Sequence, residues 1–234
     1  MKMDEITTNE MREIIKMDPL VILPIGATEA HGIHLPLGTD TFQAARVADD
    51  MAERMDNVLI APALPYGIHS SMRNLAGTIN ITFDSMRSFV RDILDSFARH
   101  GIRRILIVSG HAASSHMTAI TEACRSVVSE HDVKIMFVSD YRIVEEREDF
   151  RFEGDGHGGV IETSRMLAID PDIVGSERPK GVFIDSDCVV LRDASSCMPD
   201  GIAGDTSKAS AELGERMNNY IVETLIGMVE REMR

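Results

Sequence analysis

Thiols and long apolar runs are scarce in this chain of 234 residues, and basic residues are outnumbered. Cysteine occurs at only three positions, Cys124, Cys188 and Cys197, an odd number in no zinc-ribbon spacing. That excludes a disulfide framework and a thiolate zinc site, and predicts reduced thiols in a cytosolic protein. No stretch approaches the ~18 apolar residues that a membrane span requires. The opening MKMDEITTNEM lacks the basic-then-apolar order of a signal peptide. Lys and Arg number 24 against 38 Asp and Glu, a net charge of −14. Nucleic acid and anionic membranes both need a basic face, so neither is expected as a partner. Internal repeats, low-complexity tracts and Pro/Gly/Ser linkers are missing too. With 44% hydrophobic and 26% charged residues, wholesale disorder is excluded, and one cytoplasmic domain over 1–234 is the economical expectation.

Periodicity supplies the elements. Thr7, with Glu10 three residues on, forms a capping box that opens a helix running to about Lys16. Residues 20–25, 58–64, 103–108 and 133–138 have the length and composition of buried strands. Apolar residues recur at helical spacing from Ala44 to Met55, with Asp40 placed to cap, and from Met86 to Phe97, with Asp84 as cap and Gly101 past the end. Residues 114–130 make another helix, while 65–82 and 140–153 read as loops. A helix over about 159–171, a short strand at 182–184 and a long helix over 207–233 complete the chain. Strands alternating with helices predict an α/β protein, a three-layer α/β/α sandwich around a mostly parallel sheet. Such sheets bind ligands beyond the carboxyl ends of their strands, and three polar clusters directly follow predicted strands.

The first cluster, GATEAHGIHLPLGTD (26–40), holds Glu29, His31, His34 and Asp40. Glu29 and His31 are two apart and leave extended backbone on one face, and the loop returns Asp40 at the following helix. Carboxylates with imidazoles suit zinc, manganese or iron. A helix cap beside surface histidines would use the same residues. The second cluster, SGHAASS (109–115), lifts His111 to a strand-to-helix turn. A serine nucleophile elbow is its rival reading, although the pattern is not G-x-S-x-G. In the third, DGHGGVIETS (155–164), glycines keep bulk away from His157. Glu162 falls in a first helical turn, where it compensates the dipole or reaches back toward the strand ends. Gly158 and Gly159 alternatively form a phosphate-binding turn. His69, His100, His116 and His131 read as surface or helix-packing residues.

Five segments together resemble the creatininase family of metal-dependent amidohydrolases: PIGATEAHGIHLPLGTD (24–40), LAGTINIT (75–82), SGH (109–111), GDGHGGVIETS (154–164) and DGIAGDTSKAS (200–210). The resemblance implies the family's layered α/β fold, two divalent metal ions (zinc, manganese or iron), and a homo-oligomer, a hexamer built from dimers. It places Glu29, His31, Asp40 and His111 on metal ligands, with Asp40 as the bridge between ions. His157 falls on the proton-transferring histidine, and Glu162 on a carboxylate that completes the site and serves catalysis. His34 matches a position beside the ligands. Where creatininase has a metal-binding glutamate two places after the His111 position, this chain has Ala113, which leaves that task to Glu162. Ser109 and Ser114 replace asparagines of the usual turn.

The implied reaction is hydrolysis of a non-peptide amide C–N bond in a small molecule, either a cyclic amide or a formamide. The chain has no tryptophan, which argues against creatinine, because creatininase closes its pocket with tryptophans. The short length, Ala113 and the tail at 200–210 favour deformylation of a formamidopyrimidine ribonucleotide phosphate, a step toward riboflavin and deazaflavin. Arg73, Arg142 and Lys180 are the candidate phosphate partners. Creatinine amidohydrolysis, or a non-catalytic metal-binding protein on the same fold, are the alternatives.

Overall fold

The computed structural model describes residues 1–233. Four strands, β1 (Leu20–Ile25), β2 (Val58–Ile60), β3 (Arg104–Ser109) and β4 (Lys134–Ser139), form a sheet in the order β2-β1-β3-β4, every pair parallel. Leu20 stands opposite Val58 on one side and Arg104 on the other, and Arg104 opposite Lys134. All six residues of β1 are buried, as a parallel strand covered on both faces demands.

Alternation along the strands sorts the core into two layers. Leu20, Ile22, Leu106 and Val108 pack on α2 (Thr39–Arg54), α6 (Val160–Ile169) and α7 (Ala211–Glu232), through Ala44, Met51, Ile161, Met217 and Ile221. Val21, Leu23, Ile25, Ile105 and Ile107 face the opposite way. They pack on α1 (Thr8–Lys16), α3 (Phe83–Arg99) and α4 (Ser114–Glu130), through Ile14, Met86, Val90, Leu94 and Ile120. This is the predicted three-layer sandwich. From β1 the chain moves one way to β2 over α2, then back past β1 to β3 over α3. Reversing direction across the sheet puts the crossover on the other face, because such connections are right-handed. The reversal leaves a crevice between the carboxyl ends of β1 and β3, where sheets of this kind bind ligands.

Several boundaries differ from expectation. Asp40 is not the cap of α2: Gly38 holds that position, and Asp40 lies buried in the first turn. Thr82, not Asp84, caps α3, its hydroxyl accepting the Ser85 N–H at 3.2 Å. The predicted loop 140–153 begins with a short helix, α5 (Asp140–Glu145), because Asp140, Tyr141 and Val144 share a buried side. Residues 182–184 form no strand. Instead β5 (Lys180–Gly181) pairs antiparallel with β6 (Gly204–Asp205), and Val182 and Phe183 lie exposed with no layer to cover them. The last helix starts at Ala211, capped by Ser210, since Ser207 is already part of a tight turn over 206–208. Among the described residues, no helix is long and apolar enough to cross a membrane.

Candidate metal centre

Glu29 and His31 lie in the loop that leaves β1, and other segments hold that loop in place. Glu29 donates its N–H to the carbonyl oxygen of Leu37 (2.9 Å), Ala30 donates to Thr78 Oγ1 (3.0 Å), and Ile79 donates back to Thr28 (2.9 Å). Asp40 comes from the first turn of α2 and His111 from the turn after β3. Gly110 brings these two together: a Cβ there would sit 2.0 Å from the Asp40 carbonyl oxygen, so any other residue would push α2 away from the end of β3. Glu162 and His157 arrive from the start of α6. Glu29, His31, Asp40, His111 and Glu162 are all buried, and His157 is partly so.

The donor atoms converge around Asp40. Its Oδ1 is 3.0 Å from His31 Nε2, and its Oδ2 is 3.0 Å from His111 Nδ1. Glu29 Oε1 is 2.7 Å from the same His111 nitrogen, and Glu162 Oε2 is 3.7 Å from His31 Nε2. The remaining ring nitrogens settle which atoms carry protons. His31 donates Nδ1–H to the Glu29 carbonyl oxygen (3.0 Å), His111 donates Nε2–H to that of Ile68 (3.0 Å), and His157 donates Nε2–H to that of Ala30 (2.6 Å). A carbonyl oxygen only accepts, so in the neutral rings Nε2 of His31 and Nδ1 of His111 and His157 keep their lone pairs. Those lone pairs point at carboxylate oxygens. Glu29 Oε1 and Asp40 Oδ2 are buried without a hydrogen-bond partner.

Neutral rings here would set acceptor against acceptor, a conflict that either a proton or a metal cation on the ring nitrogens relieves, and the donors suit a divalent one. Oxygen and imidazole nitrogen without thiolate match zinc, manganese or iron. Two sets fit the two ions of the resemblance, one of Glu29, Asp40 and His111, the other of His31, Asp40 and Glu162. Within the latter set the ligand atoms lie within 4.8 Å of one another. The three ring N–H bonds to backbone carbonyls are the kind that orient metal-binding imidazoles.

Burial opposes charge on each of these groups, and the neighbours decide the outcome. His31 is penalised by burial, yet Asp40 and Glu162 outweigh this and raise it to about 10. His111 rises well above the ordinary imidazole value for the same reason, with Glu29 and Asp40 as its partners. Glu29 is held well below the carboxylate range by His111 and His157 against burial. For Glu162 burial wins over His31 and His157, and its carboxyl is raised.

All six predicted residues thus meet at one place. His34 lies outside the donor sets: its Nε2 is 2.8 Å from Thr163 Oγ1, which ties the loop after β1 to α6. His69 corrects the reading of a surface or packing residue. It is buried with Nδ1 2.9 Å from Glu29 Oε2, and Glu29, His69 and His111 form another set of closely spaced ligand atoms. His116 is buried too, edge-on to the His111 ring at 4.8 Å. No local spacing marks His69, since forty positions separate it from Glu29. The rival readings lose their support. Ser109 Oγ is buried, donates to the His111 carbonyl oxygen and does not line the cavity, so it lacks the exposed hydroxyl that a nucleophile elbow presents. The amides a phosphate would use are taken, Gly158 N–H by Glu162 and those of Val160 and Ile161 by Asp155.

Comparison with known proteins agrees with this geometry. The family model described as "Creatininase: Creatinine amidohydrolase" matches residues 4–229. A creatinine amidohydrolase of Pseudomonas putida is 29% identical over 92% of this chain and 90% of its own. A mycofactocin precursor peptide peptidase of Mycobacterium ulcerans is 28% identical over 97% of this chain and 91% of its own. A crystal structure of creatinine amidohydrolase superposes with a TM-score of 0.88 at 28% identity, covering 99% of this chain and 97% of the other. Similar structures include a creatininase described with Mn (TM-score 0.88, 27% identity, 99% and 98% covered) and a mutant creatininase of Zn–Zn type (0.87, 27%, 99% and 97%). A sheet crevice filled with carboxylates and imidazoles, and likeness that runs nearly end to end, lead to one conclusion: this chain belongs to the creatininase family of metal-dependent amidohydrolases.

Proposed function

We propose that the chain hydrolyses the C–N bond of a small amide without a phosphate group. Two divalent cations (zinc, manganese or iron) would be held, one by Glu29, Asp40 and His111 and the other by His31, Asp40 and Glu162. One observation carries this reading. Asp40 offers one oxygen to each of two imidazole nitrogens whose partner N–H groups are committed to backbone carbonyls. Bound there, such cations polarise a carbonyl oxygen and bring the pKa of water toward neutrality. His157 keeps Nδ1 on the cavity side, 4.0 Å from Glu29 Oε1, where it takes a proton and passes it to the leaving nitrogen. The two relatives support amide chemistry, because an amidohydrolase and a peptidase both break C–N bonds.

The cavity over these residues measures about 340 Å³, near the small end for ligand sites. Tyr141, Glu145, Met72 and Met198 are part of its wall, and among the described residues lining it there is no lysine or arginine. The phosphorylated formamide favoured from sequence needs such a cation. Of its three candidates, Lys180 is instead paired with Asp205, and neither Arg73 nor Arg142 reaches the wall. That moves the proposal to an unphosphorylated amide. The test is metal analysis of the purified protein, then a screen of small amides and formamides for released amine, ammonia or formate. Turnover abolished by a chelator and restored by the ion is expected. Two bound ions with no turnover on any amide would favour the non-catalytic alternative.

A further inference from the structure

The loop between β2 and α3 touches both residues that set one ion apart from the other. Ile68 accepts Nε2–H of His111 on its carbonyl oxygen (3.0 Å), and the next residue, His69, sets Nδ1 2.9 Å from Glu29 Oε2. The His69 and His111 rings also pack together, their centroids 4.8 Å apart. This stretch of loop is pinned: Ile81 donates its N–H to the Gly67 carbonyl oxygen (3.0 Å), and His69 donates its own to Asn80 Oδ1 (2.7 Å). From these contacts we propose that His69 is a positioning residue of the centre. Its Nδ1–H holds Oε2 of Glu29 and so turns Oε1, which has no hydrogen-bond partner, toward His111. The inference rests on the two-ion reading above and adds a residue to it.

Packing alone does not account for an imidazole at this position. The side chain is fully buried, and its Nε2 has no partner. Burying a ring nitrogen unpaired costs stability that a leucine would avoid. A hydrogen bond to a metal-holding carboxylate gives the ring a reason to be there, and losing such a bond typically lowers metal affinity ~10–100-fold.

Full-length wild type, His69→Leu and His69→Asn are titrated with Zn²⁺ and with Mn²⁺ against a chelating dye at one pH. Leucine fills the space without an N–H, whereas the asparagine amide places an N–H near the position of Nδ1–H. Wild type should take up two equivalents. The leucine variant should lose ~10–100-fold at one of the two sites, and the asparagine variant should recover most of that loss. Wild-type affinity in the leucine variant overturns the role of His69. So does an asparagine variant that melts like wild type but binds as weakly as the leucine one. If the leucine variant does not fold, the asparagine variant decides by the same criterion against wild type. A wild-type chain that binds no ion overturns the two-ion reading instead, so the two failures are distinct.

Discussion

His31 and His157 stack with ring centroids 4.1 Å apart, yet their free nitrogens face different neighbours. Nε2 of His31 points at two carboxylates, whereas Nδ1 of His157 looks across the cavity. Replacing His157 with alanine should therefore lower kcat by roughly 10²–10⁴ while both ions stay bound. Steady-state kinetics with metal analysis of the same sample checks this, and unchanged turnover removes the proton-transfer role. Metal binding should in turn depend on pH. Asp40 and Glu162 raise His31 to about 10, so near pH 7 the ring carries a proton that a cation must displace. Affinity should rise between pH 6 and 9, with protons released on binding. Calorimetric titration of Zn²⁺ in buffers of different ionisation enthalpy measures that release, and a net uptake of protons would contradict it. At this scale alternation along extended backbone paired Glu29 with His31 in the sequence, while their assignment as metal ligands came from the family resemblance. His69 was not legible there, because its partner is distant along the chain.

Among the elements, α6 carries the most consequential start. Asp155 lies just before it and accepts the N–H groups of Val160 and Ile161, satisfying donors that a helix beginning leaves open. Burial raises its carboxyl to about 7, against the help of those two bonds, from an ordinary 3.8. The folded protein thus binds this proton more tightly than the unfolded chain does. The contribution is fully present below about pH 4 and is lost as pH rises through about 7. Asp155→Asn keeps an acceptor for the helix and removes the titration. Relative to wild type, the variant should gain stability between pH 4.5 and 8, measured as the difference in urea midpoints at each pH. A constant difference would exclude Asp155 as the source. The helix itself was expected from near Gly159 to Pro171, which stops it, but the caps of α2 and α3 were misplaced. An aspartate serves equally as cap or first-turn residue, and only the backbone geometry distinguishes the two.

For the molecule as a whole, three buried carboxylates, Glu29, Asp40 and Glu162, are packed at one end of the sheet in a chain of net charge −14. Cations that bind only the folded state stabilise it, by ~4 kcal/mol when their concentration is a thousand times Kd. Chelation should lower the melting temperature by several degrees, and restoring Zn²⁺ or Mn²⁺ should return it. Calorimetric scans that coincide with and without chelator would count against bound ions. A strip of exposed apolar side chains, Val182, Phe183, Ile184, Val189 and Val190, is the kind of surface that subunit contacts cover. The homo-oligomer expected from the family resemblance predicts a light-scattering mass that is a multiple of 25.9 kDa. A single species at 25.9 kDa would remove that expectation.

Hydrophobic periodicity and turn chemistry are local, so the amino-acid order alone determined the alternation of strands and helices, the layered class and the three polar clusters after strands. It also determined the donor types, since side-chain chemistry does not depend on folding. Tertiary structure decided which donors meet. The reversal of chain direction between β1 and β3 opens the crevice, and close approach at Gly110 joins Asp40 to His111. The loop after β2 delivers His69 to Glu29. Distances between residues far apart in sequence are set by packing of whole layers, which no local pattern encodes.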